Sequence, residues 1–344
     1  MTKKIIISFG LIIAIIVCSV LFVVVYKAIV GSGIEHFKQY VFSCQGRFNV
    51  YKDEQSILTF YLLDEEEFSE MGNKENISEI NLYTTDGEIL SVTDWEIKNE
   101  IENKFSAFYG EYNMKTLSLI LSFDKSVTII GFEVIYPDVP EYFDIGELNI
   151  NAIERSEFEM FLNIVDFTWD FEIVKFKPGV TEYIIPGDFS MLYFNINSLV
   201  NDFELISVNI GVPGVGIDPS TLLEYVPPRY KEMQMISFDE EFTLNPDYEI
   251  YLKPQTVDVL PENNISLMVE KCVREHAIVS LCVTPEHVEF KKNNYLTITF
   301  YAPVFTFVDI ETQTVFEVSG RNFCSRTGIY DSSIVEDLLN NYGV

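Results

Sequence analysis

A two-residue period is the feature that most narrows what this chain can fold into. Ile57-Leu-Thr-Phe-Tyr-Leu62, Leu117-Ser-Leu-Ile-Leu-Ser-Phe123, Thr128-Ile-Ile-Gly-Phe-Glu-Val-Ile135 and Leu296-Thr-Ile-Thr-Phe300 are β-branched and aromatic runs of strand length. Turn signals separate such runs: Asp86-Gly87, Phe123-Asp-Lys-Ser126, Lys177-Pro-Gly179, Pro186-Gly-Asp188, Asn245-Pro-Asp247 and Asn293-Asn294. Strands this dense, without regular helical crossovers, predict an all-β chain of antiparallel sandwiches rather than a parallel sheet. Apolar residues make up 48% of the chain, enough to bury cores of that kind.

A repeated offset subdivides the pattern. Leu117-Ser-Leu-Ile-Leu121 matches Ile265-Ser-Leu-Met-Val269 at a spacing of 148, and at that spacing Ile57-Leu-Thr-Phe60 meets Leu205-Ile-Ser-Val208. Ile129-Ile130 likewise meets Ala277-Ile278. A shared offset across separated segments is what two copies of one sandwich would produce. The expected layout is residues 34–180 as a first β-sandwich and 181–325 as a second, with the boundary near Lys177–Pro186. The Ile184–Ile196 stretch reads as a turn between sandwich strands.

Helical signals are few. Asp94-Trp-Glu-Ile-Lys-Asn-Glu-Ile-Glu-Asn-Lys104 reads as a short surface helix capped by Asp94, and Asp64–Glu70 as an acidic loop or single helical turn. In residues 326–344, Ser333-x-x-Glu336 fits a capping box, and Ile334, Val335, Leu338, Leu339 and Tyr342 form one apolar stripe. That stripe predicts a short C-terminal helix docked on the fold.

Residues 1–33 have a different character. Ile5–Val25 holds 21 residues without a charge, long enough at about 1.5 Å per residue to span roughly 30 Å of hydrocarbon. Lys3 and Lys4 precede it, and a strongly acidic chain follows Lys27. The positive-inside rule then gives a single-pass plasma-membrane protein with a cytoplasmic N-terminus and the bulk of the chain outside. The rival, a cleaved signal peptide, fits less well: the run is too long and Ala28-Ile-Val-Gly31 is not a small-x-small site. Gly31-Ser-Gly33 supplies a flexible joint.

Formal net charge is −30, and because residues 1–33 carry three lysines and no acid, the remainder stands at −33. A field of that sign repels nucleic acid and anionic headgroups, so neither is an expected partner. Cys44, Cys272, Cys282 and Cys324 all lie beyond the anchor, and an even number in an oxidising space permits two disulfides of unresolved pairing. Cys272 and Cys282 flank an expected hairpin turn near Glu275 but out of register with one another.

Catalytic motifs are absent: the chain has no G-x-S-x-G, H-E-x-x-H, Walker loop or G-x-G-x-x-G. Gly211-Val-Pro-Gly-Val-Gly-Ile-Asp-Pro219 reads as a connecting loop. Carboxylate pairs beside aromatic faces, as glycosidases use, occur at Asp94-Trp95-Glu96 and Trp169-Asp170. Asp138, Glu141, Asp144 and Glu147 place four hard oxygen donors in ten residues, expected on a loop, and are the candidate calcium ligands. Asn76-Ile-Ser78 and Asn264-Ile-Ser266 are glycosylation sequons.

The strands bounded by Pro and Gly resemble, in general pattern, immunoglobulin-like extracellular modules, a likeness of fold that carries no activity. The resulting expectation is a non-catalytic binding or structural module anchored in the lipid bilayer through Ile5–Val25, meeting a protein or glycan partner at the cell surface as a subunit of a membrane assembly. Two other classes stand beside it: an anchored carboxylate-dependent hydrolase acting on glycans, and a calcium-dependent adhesion module.

Overall fold

The computed structural model describes residues 39–65, 74–107, 110–137, 140–158, 162–168, 191–224, 255–294, 296–325, 335–336 and 339. The hydrophobic run Ile5–Val25, Asp138, Trp169-Asp170 and the expected boundary near residues 177–186 lie outside them. Among the described residues no helix is long and apolar enough to cross a membrane.

The chain is all-β. Its first half supplies β1 (Gln39–Val41), β2 (Cys44–Tyr51), β3 (Gln55–Glu65), β4 (Glu79–Thr84), β5 (Ile89–Ser91), β6 (Asp94–Ala107), β7 (Gly110–Ser122), β8 (Val127–Ile135) and β9 (Pro140–Ile153). After β10 (Leu162–Thr168) come β11 (Met191–Ser198), β12 (Phe203–Asn209), β13 (Val215–Glu224), β14 (Gln255–Thr256), β15 (Asn264–Val269) and β16 (Arg274–Val283). Helix α1 (Pro285–Asn293) is followed by β17 (Ile298–Tyr301), β18 (Val304–Asp309), β19 (Val315–Ser319) and β20 (Phe323–Ser325).

These strands form four sheets in two pairs. Sheet one runs β1-β3-β7-β6 and sheet two β20-β17-β2-β9-β8-β4-β5. One core lies between them, built from Phe60, Leu62, Leu117 and Leu119 on one side and Ile80, Leu82, Phe132, Val134 and Leu148 on the other. Phe60 meets Phe132 across the gap at 5.4 Å. Sheet three runs β10-β11-β16-β13, with β14 also on β16, and sheet four runs β15-β12-β18-β19. Their shared core contains Phe194, Leu205, Val279, Phe305 and Phe307, with Phe194 and Phe305 in edge contact at 5.4 Å. Each buried Phe or Leu stabilises by about 1.5–3 kcal/mol, so the period-two pattern is what holds each pair together.

The antiparallel expectation needs correction in two sheets. Sheet two is mixed, because β2 runs parallel to both β9 and β17, and sheet three is mixed at its short β14, which runs parallel to β16. Strand β2 lies inside the sheet between β17 and β9, and the chain reaches both neighbours through long connections rather than tight hairpins, which is what a parallel neighbour requires.

The offset of 148 carries over to the elements. Adding 148 to the bounds of β8 gives 275–283, against an observed β16 of Arg274–Val283, and β2 maps in the same way onto β11 to within one residue. Strands β3 and β12 begin at equivalent positions. In sheet one Ile57 pairs with Ile120. The equivalent partner for Leu205 is Met268, and the observed one is Leu267, a single residue away.

The two sheet pairs are joined by more than a linker. Strands β17 and β20, from the second half of the chain, complete sheet two, and Ile298 and Phe300 enter the first core. The chain passes from sheet two to sheet four at Ala302-Pro303. There Arg47 donates to Ala302 O from Nη2 at 2.7 Å and to Asn209 O at 2.8 Å, while Asn49 Nδ2 donates to Pro303 O at 3.1 Å. Gly211, at φ +78°, lets the backbone lie against the Arg47 guanidinium: a Cβ would sit 2.2 Å from Arg47 Nε. Val335 and Leu339 of the C-terminal stripe are buried in the first core.

Three local expectations are overturned. Asp94–Lys104 is not a helix but most of strand β6, because Trp95 and Ile97 alternate onto the first core and the segment ladders with β7. The Asp64 end of the acidic stretch belongs to β3, where Asp64 is buried in an ion pair with Lys115. The turn after β15 is not a hairpin: β15 and β16 lie in different sheets, so the chain crosses the core there. Helix α1 carries no apolar stripe to announce it; its signals are Thr284, whose hydroxyl caps His287 N, and Pro285 in the first turn.

Candidate functional site

At one end of the second sheet pair, three loops are knotted together: 199–202 after β11, 270–273 after β15 and 310–314 after β18. Asp202 is the knot. Its Oδ1 accepts from Lys271 N at 2.7 Å and its carbonyl from Ile310 N at 3.1 Å. Ser198 O accepts from Cys272 N at 2.7 Å. Asp309, fully buried, receives Asn201 Nδ2 on one carboxylate oxygen at 2.6 Å and the backbone N–H groups of Glu311 and Thr312 on the other. Those donors, the Thr312 amide foremost and then Asn201, hold its carboxyl below the usual range.

Among the charged and polar groups these loops expose (Asp202, Glu270, Lys271 and Glu311) stand three aliphatic side chains. Leu199 is 54% exposed, Val273 41% and Ile310 38%. Loop side chains of this kind are normally turned inward; here the turn hydrogen bonds are made by backbone and by Asp202, Asn201 and Asp309, which leaves the aliphatic groups pointing outward. Cys272 completes the tip as an exposed residue at φ +61°. Beside it, carboxylates crowd: Glu275 is pushed up by burial and by repulsion from Glu224 and Glu270.

The apolar surface continues over the outer face of sheet four. Register places Met268 opposite Glu204, Glu204 opposite Val308, and Val308 opposite Val315. The row is therefore Met268, Glu204, Val308, Val315, with Met268 48% and Val315 60% exposed. Glu204 Oε1 accepts from Ser266 Oγ at 2.6 Å. Just below, between Leu205 and Ser207, the register of β12 shifts by one residue against each of its neighbours.

The sites read from sequence are placed as follows. Asp94, Trp95 and Glu96 line an open cleft of about 410 Å³ together with Lys74, Ile97 and Ile120. Lys74 Nζ reaches Asp94 Oδ1 at 2.5 Å and Trp95 O at 2.7 Å, and lies 5.1 Å from the centre of the Trp95 ring. Lys74 holds the Asp94 carboxyl below the usual range, so it stays ionised at neutral pH and is no proton donor. Glu96 pairs with Lys98 at 2.8 Å. The two acids the cleft brings together are thus each matched by a lysine, and the indole N–H of Trp95 is buried with no hydrogen-bond partner among the described residues.

Glu141, Asp144 and Glu147 lie exposed along β9, not on a loop, and Asp138 is outside the described residues. Asp144 Oδ1 accepts from Gly146 N at 2.8 Å, where β9 bulges at φ +75°. Among the described residues no three His, Cys, Asp or Glu side chains approach closely enough to hold a metal. Cys44 and Cys282 are buried, Cys324 is half-buried, Cys272 is exposed, and none of the four is in a disulfide. Burial pushes the Cys44 thiol up, with Cys324 nearby adding to it, and pushes Cys282 up to about 11.

Sequence reading missed the tip. Its signal was present as Leu199-Val200-Asn201-Asp202, where two aliphatic residues run into an Asn-Asp turn, but a turn whose polar side chains bind neighbouring loops while Leu199 stays exposed has no periodic signature.

No protein-family model matches the chain, and no curated protein matches it. Among solved structures it is similar to a chicken T-cell receptor ("crystal structure of chicken TCR for 2.0"), at 10% identity and a TM-score of 0.18, covering 84% of this chain and 100% of that one. A score at that level carries no argument about fold or function.

Proposed function

We propose that this protein is a non-catalytic binding module of the cell surface: two tandem immunoglobulin-like β-sandwiches behind a single transmembrane anchor at Ile5–Val25, serving as a subunit of a membrane assembly. The observation that carries this reading is the tip, where Leu199, Val273 and Ile310 stand exposed on loops fixed by the Asp202 and Asp309 hydrogen bonds. Apolar groups held rigid in water lose little conformational freedom on meeting a partner, which is what favours association. Proteins that only need solubility do not gather them. The two-sheet arrangement over each core, repeated at an offset of 148, supports the tandem layout, and the length and lack of charge of Ile5–Val25 support the anchor. The carboxylates in the Trp95 cleft, each occupied by a lysine, favour binding over glycan hydrolysis.

The test is site-specific photocrosslinking in native membranes. A photoreactive residue at Leu199 or Val273 is expected to give a discrete adduct, and one at Ile57, equally exposed on the first sandwich, is not. No adduct from the tip, or the same adducts from all three positions, refutes the reading.

A further inference from the structure

The tip leads onto a surface with its own chemistry. In the row across sheet four, three apolar side chains flank one carboxylate: Met268, then Glu204, then Val308 and Val315. Four strands at about 4.8 Å spacing make that row roughly 14 Å long, the reach of four or five residues of extended chain or three turns of helix. The charged groups around it are Asp202, Glu270, Glu311 and Glu317, all exposed, against Lys271 alone on these loops and strands. Burial lowers the pKa of the Arg47 guanidinium and nearby Glu317 offsets part of that, so part of the Glu317 charge is answered within the fold. Glu204 is bonded to a neutral hydroxyl, Ser266, and faces no cation across either ladder.

A carboxylate set in an apolar row is solvated in the free protein and would lose that solvation when the row is covered, unless the covering surface brings a cation to it. Resting on the binding-module reading above, we propose that this face of sheet four docks a basic polypeptide segment, in which apolar side chains cover Met268, Val308 and Val315 and a lysine or arginine between them pairs with Glu204. The acidic rim steers such a segment onto the face, and the tip residue Ile310 extends the apolar contact at one end.

The experiment is binding of labelled synthetic peptides to the full-length protein in detergent, followed by fluorescence anisotropy at physiological salt. Three peptides share a Leu-x repeat, with x as Lys, Gln or Glu. The lysine peptide is expected to bind and the glutamate peptide to fail. Met268→Ser with Glu204→Gln should weaken the lysine peptide by about tenfold, roughly 1.4 kcal/mol for the two contacts together. Ile57→Ser with Glu96→Gln, which removes the same kinds of group from the first sheet pair, should leave it unchanged. Equal weakening by both variants would show attraction to overall negative charge and overturn the proposal, as would a lysine peptide that does not bind. If the glutamine peptide binds as tightly and is weakened only by the sheet-four variant, the basic-partner assignment fails while the binding-module reading stands.

Discussion

Asn201 donates from Nδ2 to Asp309 Oδ2 at 2.6 Å, coupling two loops 108 residues apart in sequence. The acceptor is buried and ionised, and its other oxygen is occupied by two backbone amides. A hydrogen bond to a charged group contributes about 1.5–3 kcal/mol, and leaving the buried oxygen short of a donor carries the upper part of that cost. Asn201→Ala is therefore expected to lower the melting temperature modestly and to speed amide hydrogen exchange in residues 199–202 and 310–314. The β11 and β18 ladders beneath should keep their protection. Unchanged exchange in those loops would show that Asp202 alone holds the tip.

The same carboxylate sets a pH dependence. Asp309 has a folded-state pKa lowered from its ordinary value, chiefly by the Thr312 amide and Asn201. A depressed carboxyl pKa gives stability that is fully present above the unfolded value, about 3.9, and is lost as pH falls through the folded value. The tip should thus be at full strength from pH 5 upward and loosen below about pH 4. Exchange measured at pH 3 and pH 6, corrected for intrinsic rates, checks this, and in Asn201→Ala the loosening should begin at higher pH.

The strands were legible in sequence where alternation puts one set of side chains on a core: Ile57–Leu62 and Thr128–Ile135 fall within strands, and Leu117–Phe123 does so up to Ser122. The offset of 148 anticipated β12, β15 and β16 for the same reason. Asp94–Lys104 misled because its charged residues have good helix propensity, and only the ladder with β7 overrides that. The parallel seam between β2 and β17 joins residues 254 positions apart, as in the Gln45–Thr299 hydrogen bond, a pairing no local pattern encodes. The tip escaped notice because its exposed aliphatics break the rule by which buried ones are found.

Within sheet one, Lys115 and Asp64 form an ion pair with side chains only 6% and 0% exposed. Gln39 Nε2 also reaches Asp64, at 3.5 Å, and Tyr136 donates to Gln39 Oε1 at 3.2 Å. Removing one member of a buried pair leaves a charge without compensation and costs about 3–5 kcal/mol, whereas replacing both by apolar groups is close to neutral. Lys115→Met is expected to destabilise strongly, and Lys115→Met with Asp64→Leu to recover most of the loss in chemical denaturation. Additive losses would mean that Gln39 and solvent, rather than the lysine, satisfy the carboxylate.

Gly46 tests whether the second half of the chain truly completes the first sheet pair. It sits at φ +99°, and a Cβ there would fall 2.1 Å from Phe300 O, so Gly46→Ala must push β17 away from β2. Strain plus a lost ladder should cost about 2–4 kcal/mol. Gly87, at φ +83° but with open space around its Cβ position, is the control: Gly87→Ala should cost only about 1 kcal/mol, the conformational part alone. Near-equal losses in the two variants would mean that β17 is not seated on β2.

Cys272 offers a direct view of orientation. It is the exposed one of the four cysteines, while burial pushes the thiols of Cys44 and Cys282 up and out of the reactive range. A membrane-impermeant maleimide applied to intact cells is expected to label the full-length protein, and Cys272→Ser to remove most of the signal. The buried pair should remain silent until the chain is denatured. Labelling that appears only after the cells are permeabilised would place the tip on the inner side of the membrane, and with it any partner bound by Leu199, Val273 and Ile310.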